Sequence, residues 1–254
     1  MNEKSKEIRI RQGTHPDEIK RREALLSALK GTSIPEGEIL SQLGMFLSRR
    51  TLSRIFLMHD LYRKIINVPG IVVDFGTRWG QNASLFTNFR GMYEPYNYNR
   101  LVVGFDTFSG FPGIDPKDGD QLSKGDYGVT PGYEKELEAH LSCHEAEYPY
   151  NHRKKFELVK GDAQQTFPEY LKKNPHTVIA LAYFDFDLYA PTKACLELVK
   201  DRVAKGSVIA FDELNCAEFP GETLAAMEVL GLQNLTLRRD PLNPLTAYMV
   251  VGDE

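Results

Sequence analysis

Val72-Val73-Asp74-Phe75-Gly76-Thr77-Arg78-Trp79-Gly80 is an apolar run that ends in a carboxylate and passes into a turn with glycines four residues apart. With Ile71 it predicts a buried strand over 71–75, and Gly76 lets the chain turn tightly or lie close to a ligand because it has no Cβ. Gly80 then opens a helix over 82–89 whose free N–H groups face the crevice at the carboxyl end of the strand. Open α/β sheets bind their ligands in that crevice. The pattern is not GxGxxG, which weighs against a dinucleotide; taken alone, it reads equally well as a purely structural strand–turn–helix.

Working outward, the same alternation repeats. Strands are predicted over 101–105, 155–160, 177–184 and 207–211, with helices over 165–172, 191–203 and 221–230. A closing pair, 235–239 and 247–251, has no helix between its members and predicts an antiparallel edge. Together these make an α/β fold with a seven-stranded, mostly parallel sheet and helices on both faces. Upstream, Val68-Pro69-Gly70 stops a stretch with helical spacing over 36–66, and Arg49-Arg50-Thr51 can divide it into two helices. A shorter helix is expected over 18–29, and the first dozen residues are expected to be disordered. Residues 1–67 thus read as an N-terminal helical extension and 68–254 as the main domain. An insertion at about 107–154, with a helix near 134–147, reads as a lid or substrate wall.

A chain of 254 residues with a net charge of -4 has room for a substantial core but no excess of basic residues, which argues against tracking along nucleic acid. No apolar run reaches bilayer length, so no membrane partner is expected. Cys143, Cys195 and Cys216 are widely spaced and read as reduced thiols, and the polar start Met1-Asn2-Glu3-Lys4-Ser5-Lys6 shows no signal peptide. A cytoplasmic protein is the expectation.

Three further motifs bear on chemistry. Asp106 closes the second strand about 30 residues after Gly76, in Gly104-Phe105-Asp106-Thr107-Phe108-Ser109-Gly110-Phe111-Pro112, where a carboxylate can accept from both hydroxyls of a ribose. Asp162, after Gly161, either accepts from an adenine amino group or caps the next helix. Asp185-Phe186-Asp187-Leu188-Tyr189 and Asp212-Glu213 each end an apolar strand in two carboxylates. If those strands are neighbours, four acids meet in one crevice, and their repulsion calls for a hard divalent cation; otherwise they cap helices. Elsewhere, His140, Cys143 and His144 lack the Glu of a zinc motif and read as a solvated helix. His59 reads as a packed core residue, and Arg49-Arg50 and Arg153-Lys154-Lys155 as solvated faces. Trp79 can wall the crevice or simply pack.

From about Leu52 onward the chain resembles the macrocin O-methyltransferase (TylF-type) family of Rossmann-like class I methyltransferases. The likeness is carried by Val68-Pro69-Gly70, the Asp74–Gly80 turn, Phe105-Asp106-Thr107-Phe108-Ser109-Gly110-Phe111-Pro112, Asp185-Phe186-Asp187-Leu188-Tyr189 and Asp212-Glu213. The resemblance implies S-adenosylmethionine as cofactor, with Asp74, Gly76, Thr77 and Gly80 on its methionine part, Asp106 on the ribose and Asp162 on the adenine. Phe75, Thr107 and Phe108, in the same turns, count among the cofactor contacts. It further implies magnesium on Asp185, Asp212 and Glu213, and Asp187 as general base. The chain departs from the family where Asp74, Phe186 and Glu213 stand, positions at which Glu, Gly and Asp are more usual. The expected acceptor is a hydroxyl on a small-molecule glycosylated natural product such as an antibiotic glycoside.

The chemistry suits these residues. A sulfonium methyl is already electrophilic, so the enzyme must align a hydroxyl with the S–CH3 bond and remove its proton. A haloacid-dehalogenase-type phosphatase would use Asp185-Phe186-Asp187, but on the first strand of its fold. A nicotinamide-dependent oxidoreductase would want the missing glycine pattern, and a non-catalytic binding module is the third alternative. Apolar residues over 43–66 are expected to pair copies into a homodimer or larger homo-oligomer.

Overall fold

Side chains alternate along a strand, so Ile71–Phe75 (β1) sends Val73 and Phe75 into one core and Val72 into another on the opposite face. In the computed structural model, which describes residues 8–9 and 15–253, both cores are built by the same alternation in the neighbouring strands. The sequence readings made on residues 1–12 fall outside the described residues, apart from 8 and 9.

The elements run α1 (Pro16–Lys30), a 3-10 helix (Glu36–Met45), α2 (Arg49–Ile65), β1, α3 (Gln81–Tyr93), β2 (Val102–Asp106), α4 (Tyr133–Ala146) and β3 (Phe156–Lys160). They continue with α5 (Ala163–Lys173), β4 (Ile179–Phe184), α6 (Tyr189–Val199), β5 (Val203–Phe211), α7 (Pro220–Leu230), β6 (Arg238–Arg239) and β7 (Ala247–Val250). The seven-stranded sheet has the order β3-β2-β1-β4-β5-β7-β6. Strands β1 to β5 are parallel, and β7 lies antiparallel between β5 and β6. The order reverses between β1 and β4, and a crevice opens at such a switch point.

One face is covered by α2, α3 and α4, the other by α5, α6 and α7. Leu57, Met58, Leu61, Tyr62 and Ile65 of α2 are fully buried, each contributing roughly 1.5–3 kcal/mol of apolar burial. The proposed boundary at residue 67 therefore runs between elements that share one core.

Several expectations need correction. Helical spacing over 36–45 is met by a 3-10 helix with no buried residue, and the break falls at 46–48, where Ser48 caps α2 through the Thr51 amide. The helix expected over 191–203 stops at Val199, and β5 begins at Val203. The strand expected over 235–239 shrinks to Arg238–Arg239. Within the expected lid or substrate wall, residues 107, 110–112 and 127 line a cavity, whereas its helix is α4, which buries Leu137 and Leu141 in the core as the crossover that parallel β2 and β3 require. Lys155 is not solvated: it is buried and paired with Glu145, which also binds Arg90. His59 is half-buried and bonded to Tyr93. No described helix is long and apolar enough to cross a membrane.

Candidate active site

The register decides how the acids meet. Phe75 pairs with Phe184 and Phe184 with Phe211, so β1, β4 and β5 end level with one another. The amide of Asp185 donates to the Phe75 carbonyl and that of Asp212 to the Phe184 carbonyl, each at 2.9 Å. The two acidic strand ends are thus neighbours, beside the Gly76 turn. Above them lies a cavity of about 1640 Å³, larger than the roughly 300–1,000 Å³ of a single small-molecule site and sufficient for two ligands side by side. Residues of α1, including Ile19, Leu25, Leu26 and Leu29, form part of its wall, as does the 241–246 loop.

Asp185, Asp187 and Glu213 each offer an oxygen atom, all within 4.8 Å of one another, and form the one such grouping among the described residues. Asp187 has a left-handed backbone, φ 61°, a conformation that costs roughly 1 kcal/mol or more outside glycine and clusters at functional sites. Glu213 Oε2 is buried with no hydrogen-bond partner. Burial, followed by the charges of the neighbouring acids, raises the carboxyls of Asp185 and Glu213 well above the usual range; burial does the same for Asp187. A crowded set of carboxylate oxygens, with Glu213 Oε2 lacking a partner, fits a hard divalent cation.

Asp212, expected in that set, is not one of these three, and its Oδ1 is engaged. It accepts from Arg54 Nη1 and the Tyr183 hydroxyl, while Arg54 Nη2 reaches Asp185 Oδ2 at 2.8 Å. Arg54 Nε also donates to Asn82 Oδ1 at 3.2 Å, and the guanidinium sits 5.3 Å from the Tyr183 ring centroid. Arg54 was missed by sequence reasoning. The available signal was its place one turn before Met58 and two before Leu61, a cation on the buried stripe of α2.

On the cofactor side, Gly76, Thr77, Asp106, Thr107 and Asp162 all reach the cavity wall, and so does Trp79, edge-on to Tyr133. Both oxygens of Asp106 accept from amides: Oδ2 from Arg78 at 2.8 Å and Oδ1 from Phe108 at 2.5 Å. Each retains acceptor capacity for a ribose hydroxyl. Asp162 caps α5 through the Gln164 amide at 2.9 Å, so the capping role is met while the residue still borders the cavity. Phe75, Gly80 and Phe108, expected among the cofactor contacts, are not on that wall. Strand alternation turns Phe75 into the core, Gly80 caps α3 with φ 80°, and Phe108 packs with α4. Asp74 lies beneath the wall, fully buried, with Oδ1 taking a 3.3 Å bond from Asn82 and Oδ2 left without a partner.

Burial raises the Asp74 carboxyl to about 6 from its ordinary 3.8. A carboxyl whose folded value exceeds the unfolded one contributes stability that is complete below about pH 4 and is lost as pH rises through about 6. Asp74→Asn is therefore expected to be more stable than wild type above pH 6, by on the order of 2–3 kcal/mol, with the difference vanishing near pH 4. Paired urea unfolding curves across that range test this, and a pH-independent difference would count against it.

A parallel sheet with an antiparallel β7, a glycine turn after β1 and carboxylates closing β2, β4 and β5 defines a Rossmann-like methyltransferase fold. The family model of macrocin O-methyltransferase (TylF) matches residues 47–227, and the chain belongs to that family of O-methyltransferases. The crystal structure of CalS11, a calicheamicin methyltransferase, is 41% identical, with a TM-score of 0.92, covering 98% of each chain. The apo structure of CalS11, a TDP-rhamnose 3'-O-methyltransferase of calicheamicin biosynthesis, is 40% identical over 95% of this chain and 97% of that one, with a TM-score of 0.85. The O-methyltransferase NovP shares the fold at 16% identity and a TM-score of 0.59, over 78% of this chain and 79% of its own. No curated protein sequence matches.

Proposed function

We propose that this O-methyltransferase moves the methyl group of S-adenosylmethionine onto a sugar hydroxyl of a glycosylated natural product or its nucleotide-linked precursor, aided by magnesium or another divalent cation. The observation that carries this reading is the meeting of Asp185, Asp187 and Glu213 oxygens within 4.8 Å, in the same cavity as the Gly76 turn. Identity of about 40% over nearly the whole chain to an enzyme acting on TDP-rhamnose supports a deoxysugar acceptor.

When bound, the cofactor supplies an electrophilic methyl and the cation lowers the pKa of a coordinated hydroxyl. The chain's residues supply the rest. Thr77, Asp106 and Asp162 border the cofactor's place, and the partnerless Asp74 Oδ2 beneath them matches a cationic group of the methionine part. Asp185 and Glu213 would hold the cation. Asp187, beside both, takes the acceptor's proton as the methyl arrives. Asp212 anchors Arg54, which limits the net negative charge of the pocket before ligands enter. The apolar part of α1 and the 241–246 loop face the acceptor. Exposed Leu40, Met45 and Phe56 are the residues through which two copies would pair.

Because Asp185-Phe186-Asp187 follows β4 and not β1, it lies off the position a phosphatase of the competing type would use. The deciding experiment is a methyl-transfer assay with S-adenosylmethionine and TDP-rhamnose, run with magnesium and with a chelator. Transfer that depends on the cation is expected. Undiminished transfer in the chelator would remove the cation from the mechanism, and no transfer to any nucleotide-linked or glycosidic sugar would remove the acceptor class.

A further inference from the structure

Glu222 is fully buried in the first turn of α7, and the chemistry above makes no use of it. Its Oε1 accepts from the Phe186 amide at 3.0 Å and its Oε2 from the Glu213 amide at 3.4 Å. Phe186 stands between Asp185 and Asp187, and Glu213 follows Asp212, so one carboxylate joins both acidic strand ends. The sheet's last backbone bonds at these ends are those of the Asp185 and Asp212 amides, and the β4–β5 register stops at Phe184 and Phe211, so Phe186 and Glu213 lie past the ladder.

The surroundings favour that bridge. A side chain at Gly221 would place its Cβ 2.4 Å from both Asp118 Oδ1 and the Tyr189 amide nitrogen, so only glycine lets α7 come this close. Asp118, itself buried, accepts from the Tyr189 amide at 2.6 Å and from the Asp115 amide at 2.7 Å. Residues 185–189 are thus pinned at Phe186 by Glu222 and at Tyr189 by Asp118. Placing another carboxylate behind a cluster of acids is electrostatically costly, and an apolar side chain of similar size would avoid that cost. What an apolar side chain lacks is the pair of acceptor oxygens.

We propose that Glu222 is the positioning residue of the acidic cluster. By fixing the separation of the Phe186 and Glu213 amides it sets the spacing of the Asp185, Asp187 and Glu213 oxygens, and with it the affinity for a divalent cation. This rests on the cation reading given above. Glu222→Gln keeps the shape but presents an NH2 group to one of the two amides, so the bridge opens on one side. Glu222→Asp keeps both acceptors on a shorter stem.

The test titrates the full chain with Mn2+ by electron paramagnetic resonance, measures S-adenosylhomocysteine binding by calorimetry and records thermal unfolding. For Glu222→Gln, Mn2+ affinity is expected to fall about tenfold or more, as for other residues that orient metal ligands, with S-adenosylhomocysteine affinity within about twofold of wild type. Glu222→Asp should recover part of the Mn2+ affinity. Wild-type Mn2+ affinity in Glu222→Gln overturns the proposal, as does a parallel loss of both ligands, which marks a general structural role. If Glu222→Gln does not fold, Glu222→Asp decides: weaker Mn2+ binding with intact S-adenosylhomocysteine affinity supports the proposal, and wild-type affinity for both overturns it. No Mn2+ signal from the wild-type protein would remove the cation reading and this proposal together, an outcome distinct from failure of the variant alone.

Discussion

Asp187→Asn is expected to lower kcat by roughly a thousandfold, within the range that one general base contributes, while S-adenosylhomocysteine affinity stays near wild type. Asparagine preserves the side chain's size but accepts no proton. Because burial raises the Asp187 carboxyl well above the ordinary range, the wild-type kcat should climb with pH as that group ionises, and the variant should lose this limb of the profile. Asp185→Asn makes the contrast: there the loss should be accompanied by a weaker response to magnesium. Near-normal turnover in Asp187→Asn across the pH range would take that residue out of the mechanism. An equal loss of Mn2+ binding in both variants would make Asp187 a ligand instead of a base.

Gly76→Ala is the most damaging small substitution expected in the fold. The added Cβ would lie 1.9 Å from the Asp185 carbonyl oxygen and 2.7 Å from its carbon, both backbone atoms that cannot swing aside. The residue also has φ 84°, which an L side chain resists by roughly 1–2 kcal/mol. Relief requires the end of β1 to move away from β4, opening the Phe75–Asp185 hydrogen bond. A loss of about 3–5 kcal/mol in urea unfolding is expected, together with loss of methyl transfer, since the cofactor turn and the acidic cluster meet at this contact. A cost below about 1 kcal/mol would show that the two strand ends are not locked together in the way described.

These two residues were visible in the sequence because each terminates an apolar strand, and a sharp change from apolar to acidic or glycine is a local signal. The same holds for Asp106, and for the antiparallel edge at β7, where no helix separates the last two strands. What escaped was whatever depends on partners far along the chain. Arg54 and Asp212 are 158 residues apart, and nothing local to either predicts that the two pair. Glu222 drew no reading from the sequence, because its bonds run to the distant Phe186 and to Glu213. The 107–154 stretch read as a lid or substrate wall from its length, and Thr107, Gly110, Phe111, Pro112 and Tyr127 do line the cavity, but that its helix is the crossover between β2 and β3 went unread. Over 36–45, α-helical spacing was matched by a tighter helix that buries nothing, a distinction periodicity cannot draw in so short a run.

Because the guanidinium that pairs with Asp185 and Asp212 is carried by α2, a fragment starting after residue 67 would lack the counter-charge these two acids share. Transplanting residues 68 onward behind a foreign N-terminal segment, as one would to exchange acceptor preference between relatives, would strip the acidic strand ends of the guanidinium that pairs with them. Chimeras should therefore be joined upstream of Ser48, so that the whole helix travels with the strands it serves.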